Sequence, residues 1–470
     1  MTRGRFAATF FTLAFGFAAI GKGVGATTQG SAAAYVLLGP SGSRIARVVT
    51  VAEKCPTLSA DGRVIPMQLR SAPGAAPLRP TASKPEFTKP SAFPARICEA
   101  TVPAKARHAS IGGQPLPLPP EAIRRIVVIG DTGCRIKAAD RAAQACNDPT
   151  AYPFATVAKA AAAWKPDIVL HVGDYLYREN ACPDGVAGCA GSPWGYGLDS
   201  WRADFLDPAA PLLKAAPWIF VRGNHESCDR AGQGWQRLLD PYPLAANRTC
   251  DDPANDTVGN FADPYAVPLG DGSQIVVWDT AMAGNGPFPA GDPRRGVYLA
   301  NIKSIAALAK GAAHTILTNH HPVLGMAVFR DKQGGTRIVP SNLSLIDPLT
   351  EADPALYPAS IDLLLSGHIH VWEQSSFGGK LPSQIVAGFS GTQEDIVPLP
   401  ETVPADFKTA GGVVPDAFSS WVDGFGFMTM ERTDAANWKV EIHDVAGAVV
   451  NRCTIAGRVS KCEVAQVHAK

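Results

Sequence analysis

The chain has 470 residues, 46% of them hydrophobic, which allows a large core and excludes a disordered chain. Its 43 Lys+Arg stand against 42 Asp+Glu for a net charge of +1, and no block of like charge forms a nucleic-acid stripe or a membrane-binding patch. Charge therefore names no macromolecular partner.

The opening residues, MTRGRFAATFFTLAFGFAAIGKGVGATTQ, set Arg3 and Arg5 ahead of an apolar run, with Val24 and Ala26 at the positions a signal peptidase reads. The run is shorter than the roughly 20 residues a span needs and Lys22 interrupts it, so residues 1–26 read as a secretory signal. This predicts an exported protein, periplasmic or secreted, with no membrane span once the signal is removed. The ten cysteines (Cys55, Cys98, Cys134, Cys146, Cys182, Cys189, Cys228, Cys250, Cys453 and Cys462) all follow the cut. Their even number predicts disulfides between sequence neighbours, Cys182 to Cys189 and Cys453 to Cys462 being the most local. No CxxC occurs, which argues against a cysteine zinc site. Asn247, Asn255 and Asn342 begin Asn-Xaa-Ser/Thr sites that matter only in a glycosylating pathway.

Residues 27–120 carry β-branched runs and turn signals with little helical periodicity and predict a small β-rich N-terminal domain. Within it PGAAPLRPTASKPEFTKPSAFPAR has a proline every few residues, which excludes regular helix and suits an extended surface loop. From 121 to 445 short apolar runs recur: IVVIGD, DIVLHVGD, WIFVRGNHE, QIVVWDT, TILTNHHP, DLLLSGHIH and QIVAGFSGT. Continuous apolar strands imply sheets covered on both faces, and segments such as PFATVAKAAAAWKP supply the covering helices. The region reads as α/β. Residues 446–470 read as a strand and disulfide extension.

Five of those runs end in Asp, Asn or His on the carboxyl side, where open α/β sheets build their sites: Asp131, Asp174, Asn224-His225, His320-His321 and His368 with His370. Taken singly, each is better read as a helix cap or a hydrogen-bonded loop residue. Taken together they are not, because capping needs no histidine pairs and no mixture of carboxylate, amide and imidazole. Two cations roughly 3.5 to 4 Å apart do need that mixture: a bridging carboxylate plus terminal oxygen and nitrogen ligands.

The ordered set GDTG, GDYLY, GNHE, NHHP and GHIH resembles the calcineurin-like metallophosphoesterase superfamily and, within it, the purple acid phosphatases. In that pattern glycine stands two residues after the first aspartate and tyrosine three after the second. The resemblance implies a four-layer αββα sandwich and a binuclear centre. Asp131, Tyr177 and His370 would hold Fe³⁺, Asp174 would bridge, and Asn224, His320 and His368 would hold a divalent partner (Fe²⁺, Zn²⁺ or Mn²⁺). His225 would face substrate, with His321 in the substrate pocket. Many relatives have histidine where this chain has Gly133, so the ligand missing there would be made good by Tyr177. A phenol of pKa near ~10 becomes a ligand readily only against a strong Lewis acid such as Fe³⁺.

The expected reaction is hydrolysis of small-molecule phosphoric monoesters by metal-hydroxide attack, with an acid optimum. Phosphodiester hydrolysis is the nearest alternative, and a non-catalytic binding protein on the same scaffold the more distant one. Other residues weigh less. His171 is expected as a hydrogen-bonded core residue and Asp279 as a cap or support, while Glu226 either orders His225 or faces solvent. Trp194, Tyr196 and Trp201 either line a pocket mouth or pack the base of their own loop.

Overall fold

Each of the seven apolar runs singled out above forms a strand, and the seven divide between two sheets. The computed structural model describes residues 33–330, 334–395 and 411–468, with Met1, Thr2, Val397, Leu399, Val403 and 407–409. Nearly all of the expected signal segment, residues 1–26, lies outside the described residues. The described residues from Ala33 onward pack as one unit.

The first sheet has 11 strands. At its centre lie β1 (Ala33–Leu38), β2 (Arg125–Ile129), β3 (Ile168–His171) and β4 (Trp218–Phe220). β2, β3, β4 and β1 are parallel neighbours in that order, so their carboxyl ends face one way. The N-terminal region is β-rich as expected. Its strands Ala33–Leu38, Arg44–Thr50, Arg96–Val102 and Gln68–Ser71 extend this sheet, and a separate sheet of 4 strands lies within residues 57–116. The second sheet has 8 strands, with β5 (Ser273–Trp278), β6 (His314–Asn319), β7 (Ile361–Ser366) and β8 (Ser383–Ala387) parallel at its centre.

Strand periodicity assigns the layers. Ile126 and Val128 of β2 point to one core with Leu170, Ile219, Ile275, Ile316, Leu363 and Ile385, which places that core between the two sheets. Val127 and Ile129 point the other way, onto helix α1 (Phe154–Ala163). That helix buries Phe154, Val157, Ala158 and Ala161, the i, i+3, i+4, i+7 stripe expected of its Ala-rich segment. The outer face of the second sheet, through Val276, Trp278 and Leu317, meets α2 (Pro293–Ala309) at Tyr298, Ile302 and Ile305. Asp292 caps α2 by accepting the Arg294 amide at 2.9 Å, with Pro293 as its first residue. The result is the expected αββα sandwich.

The proline-rich segment is non-helical, but it is no mere surface loop. Phe93 is buried in the outer core, and the buried Arg79 donates to the Cys250 carbonyl at 2.7 Å and to Asp256. Proline sets a backbone direction without fixing exposure, and a single guanidinium supplies enough donors to anchor such a strap. All five disulfides join sequence neighbours: 55–98, 134–146, 182–189, 228–250 and 453–462. Asn342 is buried and donates to the Pro322 carbonyl, so it is no accessible glycan acceptor.

Candidate active site

The nine residues expected at the site come from both sheets and meet beyond their carboxyl ends. Asp131 follows β2, Asp174 and Tyr177 follow β3, and Asn224 and His225 follow β4. From the second sheet, His320 and His321 follow β6, and His368 and His370 follow β7. Asp131 (φ 52°), Asp174 (φ 58°) and His368 (φ 74°) adopt left-handed backbone. Such conformations cost non-glycine residues roughly 1–3 kcal/mol each and persist where the surroundings impose them.

The polar atoms gather at two points. At the first, the Tyr177 Oη stands 2.9 Å from Asp131 Oδ1, 2.8 Å from Asp174 Oδ2 and 2.8 Å from His370 Nε2. At the second, Asn224 Oδ1 lies 3.1 Å from His320 Nε2 and 3.0 Å from His368 Nδ1. Asp174 Oδ2 also lies 3.2 Å from His320 Nε2, so one carboxylate oxygen belongs to both points. Ligand-type atoms of Asp174, His320 and His368 fall within 4.8 Å of one another, close enough to hold one ion.

Two close approaches require glycine. A Cβ on Gly223 would lie 2.1 Å from Asp174 Oδ1, and one on Gly133 would lie 2.7 Å from the Tyr175 carbonyl and 2.8 Å from the Tyr177 amide. The backbone here thus admits no side chain at 133, and the space beside Asp131 belongs to Tyr177.

Hydrogen bonds behind the site fix the rings. His320 Nδ1 lies 2.9 Å from the Val172 carbonyl, and His370 Nδ1 lies 3.0 Å from the Gln393 carbonyl. Facing an acceptor, each Nδ1 is assigned the proton, and for neutral His370 this leaves Nε2 with a free lone pair toward the cluster. Burial lowers His370, and lowers His368 to about 3, so both are neutral donors. Burial opposes charge on Asp174 and His320 alike, but their mutual attraction holds Asp174 well below the carboxylate range and lifts His320 to about 9. Burial holds Asp131 and the Tyr177 phenol well above their ordinary values, Asp174 adding to both shifts by repulsion. Oxygens that share charge so closely, with imidazole nitrogens beside them, form a donor set suited to hard and borderline cations.

His225 is buried beside this cluster, its ring 3.8 Å from the Tyr177 ring and its Nε2 3.8 Å from Asp174 Oδ2. Its Nδ1 faces the Leu176 carbonyl at 3.0 Å and the Glu179 carboxylate at 3.3 Å, so that nitrogen carries the proton. His321 is turned from His320, with its ring 4.2 Å from His368 and its amide on the Thr280 hydroxyl at 3.1 Å. Glu226 does not face solvent. It is buried, accepts the amides of Tyr175 at 2.9 Å and Gly223 at 3.2 Å, and is pushed up to about 8 by burial and then by Asp174. It holds together the loops that carry Asp174 and Asn224.

His171 is a core residue, 2.9 Å from the Thr132 hydroxyl and stacked on Tyr175. Asp279 accepts the Ala281 amide at 3.0 Å and faces Arg222 at 3.5 Å. Trp201 packs in the outer core, and Trp194 lies under the Lys89 ammonium. Tyr196 bonds Glu179 at 2.9 Å.

Three supporting residues were not foreseen. Asp204, fully buried, accepts the amides of Cys134 at 3.1 Å and Tyr177 at 2.8 Å, and so joins the first two motif loops. Glu179, behind His225, is held by Arg230 at 2.5 Å and 3.1 Å. Glu179 lies two residues past Tyr177 in the GDYLYRE stretch, and its Arg-Glu pair is the one local signal for it. Asp204 stands at no strand end, and nothing in the local sequence marks it.

Residues 124–372 match the model of the calcineurin-like phosphoesterase family, just over half the chain. The chain belongs to that family. A calcineurin-like phosphoesterase of this kind hydrolyses phosphoric esters. Among solved structures, this member is similar to purple acid phosphatase PPD1 from yellow lupin (Lupinus luteus) seeds. The two are 14% identical, with a TM-score of 0.51 over 93% of this chain and 74% of that one. It is also similar to PhoD, at 12% identity and a TM-score of 0.50, over 92% of this chain and 91% of that one. At these identities the likeness is one of fold. No curated protein matches by sequence.

Proposed function

We propose that the protein is an exported, purple acid phosphatase-like enzyme that hydrolyses phosphoric monoesters at a binuclear metal centre. The observation that carries this reading is the Tyr177 phenol oxygen at 2.8–2.9 Å from Asp131, Asp174 and His370. Asp131, Tyr177 and His370 would hold a ferric ion, Asn224, His320 and His368 a divalent ion, and Asp174 would serve both. Such a pair supplies Lewis acidity: it acidifies a water and neutralises charge on the phosphoryl oxygens.

The chain's own residues do the rest. Asn224 is a neutral amide, so it binds without cancelling cationic charge. His225, with its proton fixed on Nδ1, presents Nε2 toward Asp174 and the substrate side, where the ring, once protonated on Nε2 as well, would donate to a phosphate oxygen or to the leaving oxygen. His321, next to His368, extends the same wall. Export is supported by the leader-like N-terminal sequence and the five disulfides, which persist in oxidising compartments. No described helix is long and apolar enough to cross a membrane.

Metal analysis and a visible spectrum of the wild type and of Tyr177→Phe test the centre. Iron with a phenolate charge-transfer band that Tyr177→Phe abolishes is expected, and a band that survives the substitution sinks the assignment. Turnover of an aryl monoester against a bis-aryl diester tests the substrate class, and a diester preference moves the protein to the phosphodiesterases.

A further inference from the structure

Beside the histidine cluster, the hairpin of Met326–Arg330 and Thr336–Pro340 borders a cavity of about 420 Å³. That is room for the whole alcohol portion of a small-molecule ester. Much of its wall is aliphatic, built from Met326, Val328, Val339, Ile369, Val371 and Leu399, with Asn285 among its polar residues. His368 lines the same cavity, so the cavity is continuous with the site. Ser341 also lines it, but its Oγ is already committed to the Pro322 and Gly325 carbonyls at 2.7 Å and 3.0 Å. A methylene entering would gain by burial.

Charge points the same way. Glu394 and Asp395 stand on the wall, and Asp395 accepts the His370 amide at 3.0 Å. Among the described lining residues Arg330 is the one cation, and it is exposed on the hairpin. Burial raises Glu394 to about 8, so a second phosphate on the alcohol would meet the Asp395 carboxylate.

We propose that this cavity receives the alcohol portion of the phosphomonoester and favours alkyl and aryl alcohols over polyphosphates. The assignment rests on the phosphatase reading above and names its substrate class. With the full-length, metal-loaded protein, kcat/KM is measured for n-alkyl phosphates from methyl to octyl, glycerol phosphate and ATP. Efficiency is expected to rise by up to roughly fourfold per buried methylene until the cavity is full, leaving glycerol phosphate and ATP below the longer alkyl esters. Val339→Asp should flatten the octyl-to-methyl ratio, and Val328→Trp should end the rise at a shorter chain. Calorimetric binding of the matching alkylphosphonates should follow the same slope. A chain-length series that is flat in turnover and in binding overturns the assignment, as does a slope that neither variant alters. Alkylphosphonate affinity that rises with length in a protein that hydrolyses no ester upholds the cavity assignment and overturns the phosphatase reading instead.

Discussion

Glu179 Oε1 lies 3.3 Å from His225 Nδ1, on the side of the ring away from the shared Asp174 carboxylate. The same carboxylate is fixed by Arg230, and all three side chains are buried. His225 is thus supported from behind by a group that takes no part in the cluster itself.

Glu179→Gln is therefore expected to reduce kcat by about 10- to 100-fold, the range seen when an outer partner of a site residue is lost, with a smaller change in KM. Steady-state kinetics on an aryl phosphate reads both. A change confined to KM would mean that His225 is oriented by the Leu176 carbonyl alone.

Arg230→Ala should be costly for a different reason. It leaves Glu179 buried without its cation, a situation that costs about 3–5 kcal/mol. Urea unfolding at neutral pH measures it, and Arg230→Ala combined with Glu179→Gln should recover part of the loss.

At Gly133 a methyl group would press on the backbone of Tyr175 and Tyr177. Gly133→Ala should cost about 1–3 kcal/mol by overpacking and should weaken retention of the ion proposed to be held through Tyr177. Metal content after dialysis compares it with wild type. Full retention would show that the Tyr177 loop can shift without releasing the ion.

Glu373 gives a pH signature away from the site. It is buried, accepts the Met326 amide at 3.0 Å, and burial pushes it up to about 8 from its ordinary 4.5. The folded pKa is raised, so the stability linked to the protonated form is fully present below about 4.5 and is lost as pH rises through about 8. The loss is about 1.4 kcal/mol per unit of pH within that window. Glu373→Gln should melt like wild type near pH 4.5 and above it at pH 8. Calorimetric Tm values that differ equally at both pH values would exclude this account.

Removal of metal supplies the last expectation. Ions held from both sheets, as proposed, would bind the folded chain and not the unfolded one, so each tenfold excess over Kd would add about 1.4 kcal/mol. Dialysis against a chelator should lower Tm, and titrating metal back should restore it in step with concentration.

Much of this was legible in the sequence because two signals coincide at each motif. A continuous apolar run marks a covered strand, and the polar residues after it mark the end where a site forms; hence IVVIGD and DLLLSGHIH located Asp131 and His370 without knowledge of the fold. What was not legible depends on distant pairing. Nothing in DSWRADFLD announces that Asp204 accepts the Cys134 and Tyr177 amides, because its partners lie 70 and 27 residues away. The alignment of Ala33–Leu38 beside Trp218–Phe220 is likewise set by packing and not by local pattern. The anchoring of the proline-rich strap by Arg79 belongs to the same class, since composition predicts its extended form but not what it touches.

The left-handed backbone of Asp131, Asp174 and His368 has a bearing on how this protein could be engineered. Glycine adopts that conformation freely, so replacing any of the three would relieve local strain while deleting a chemical group of the cluster. A selection for heat resistance alone, with turnover left unmonitored, would thus find its gains at the positions the proposed chemistry can least spare.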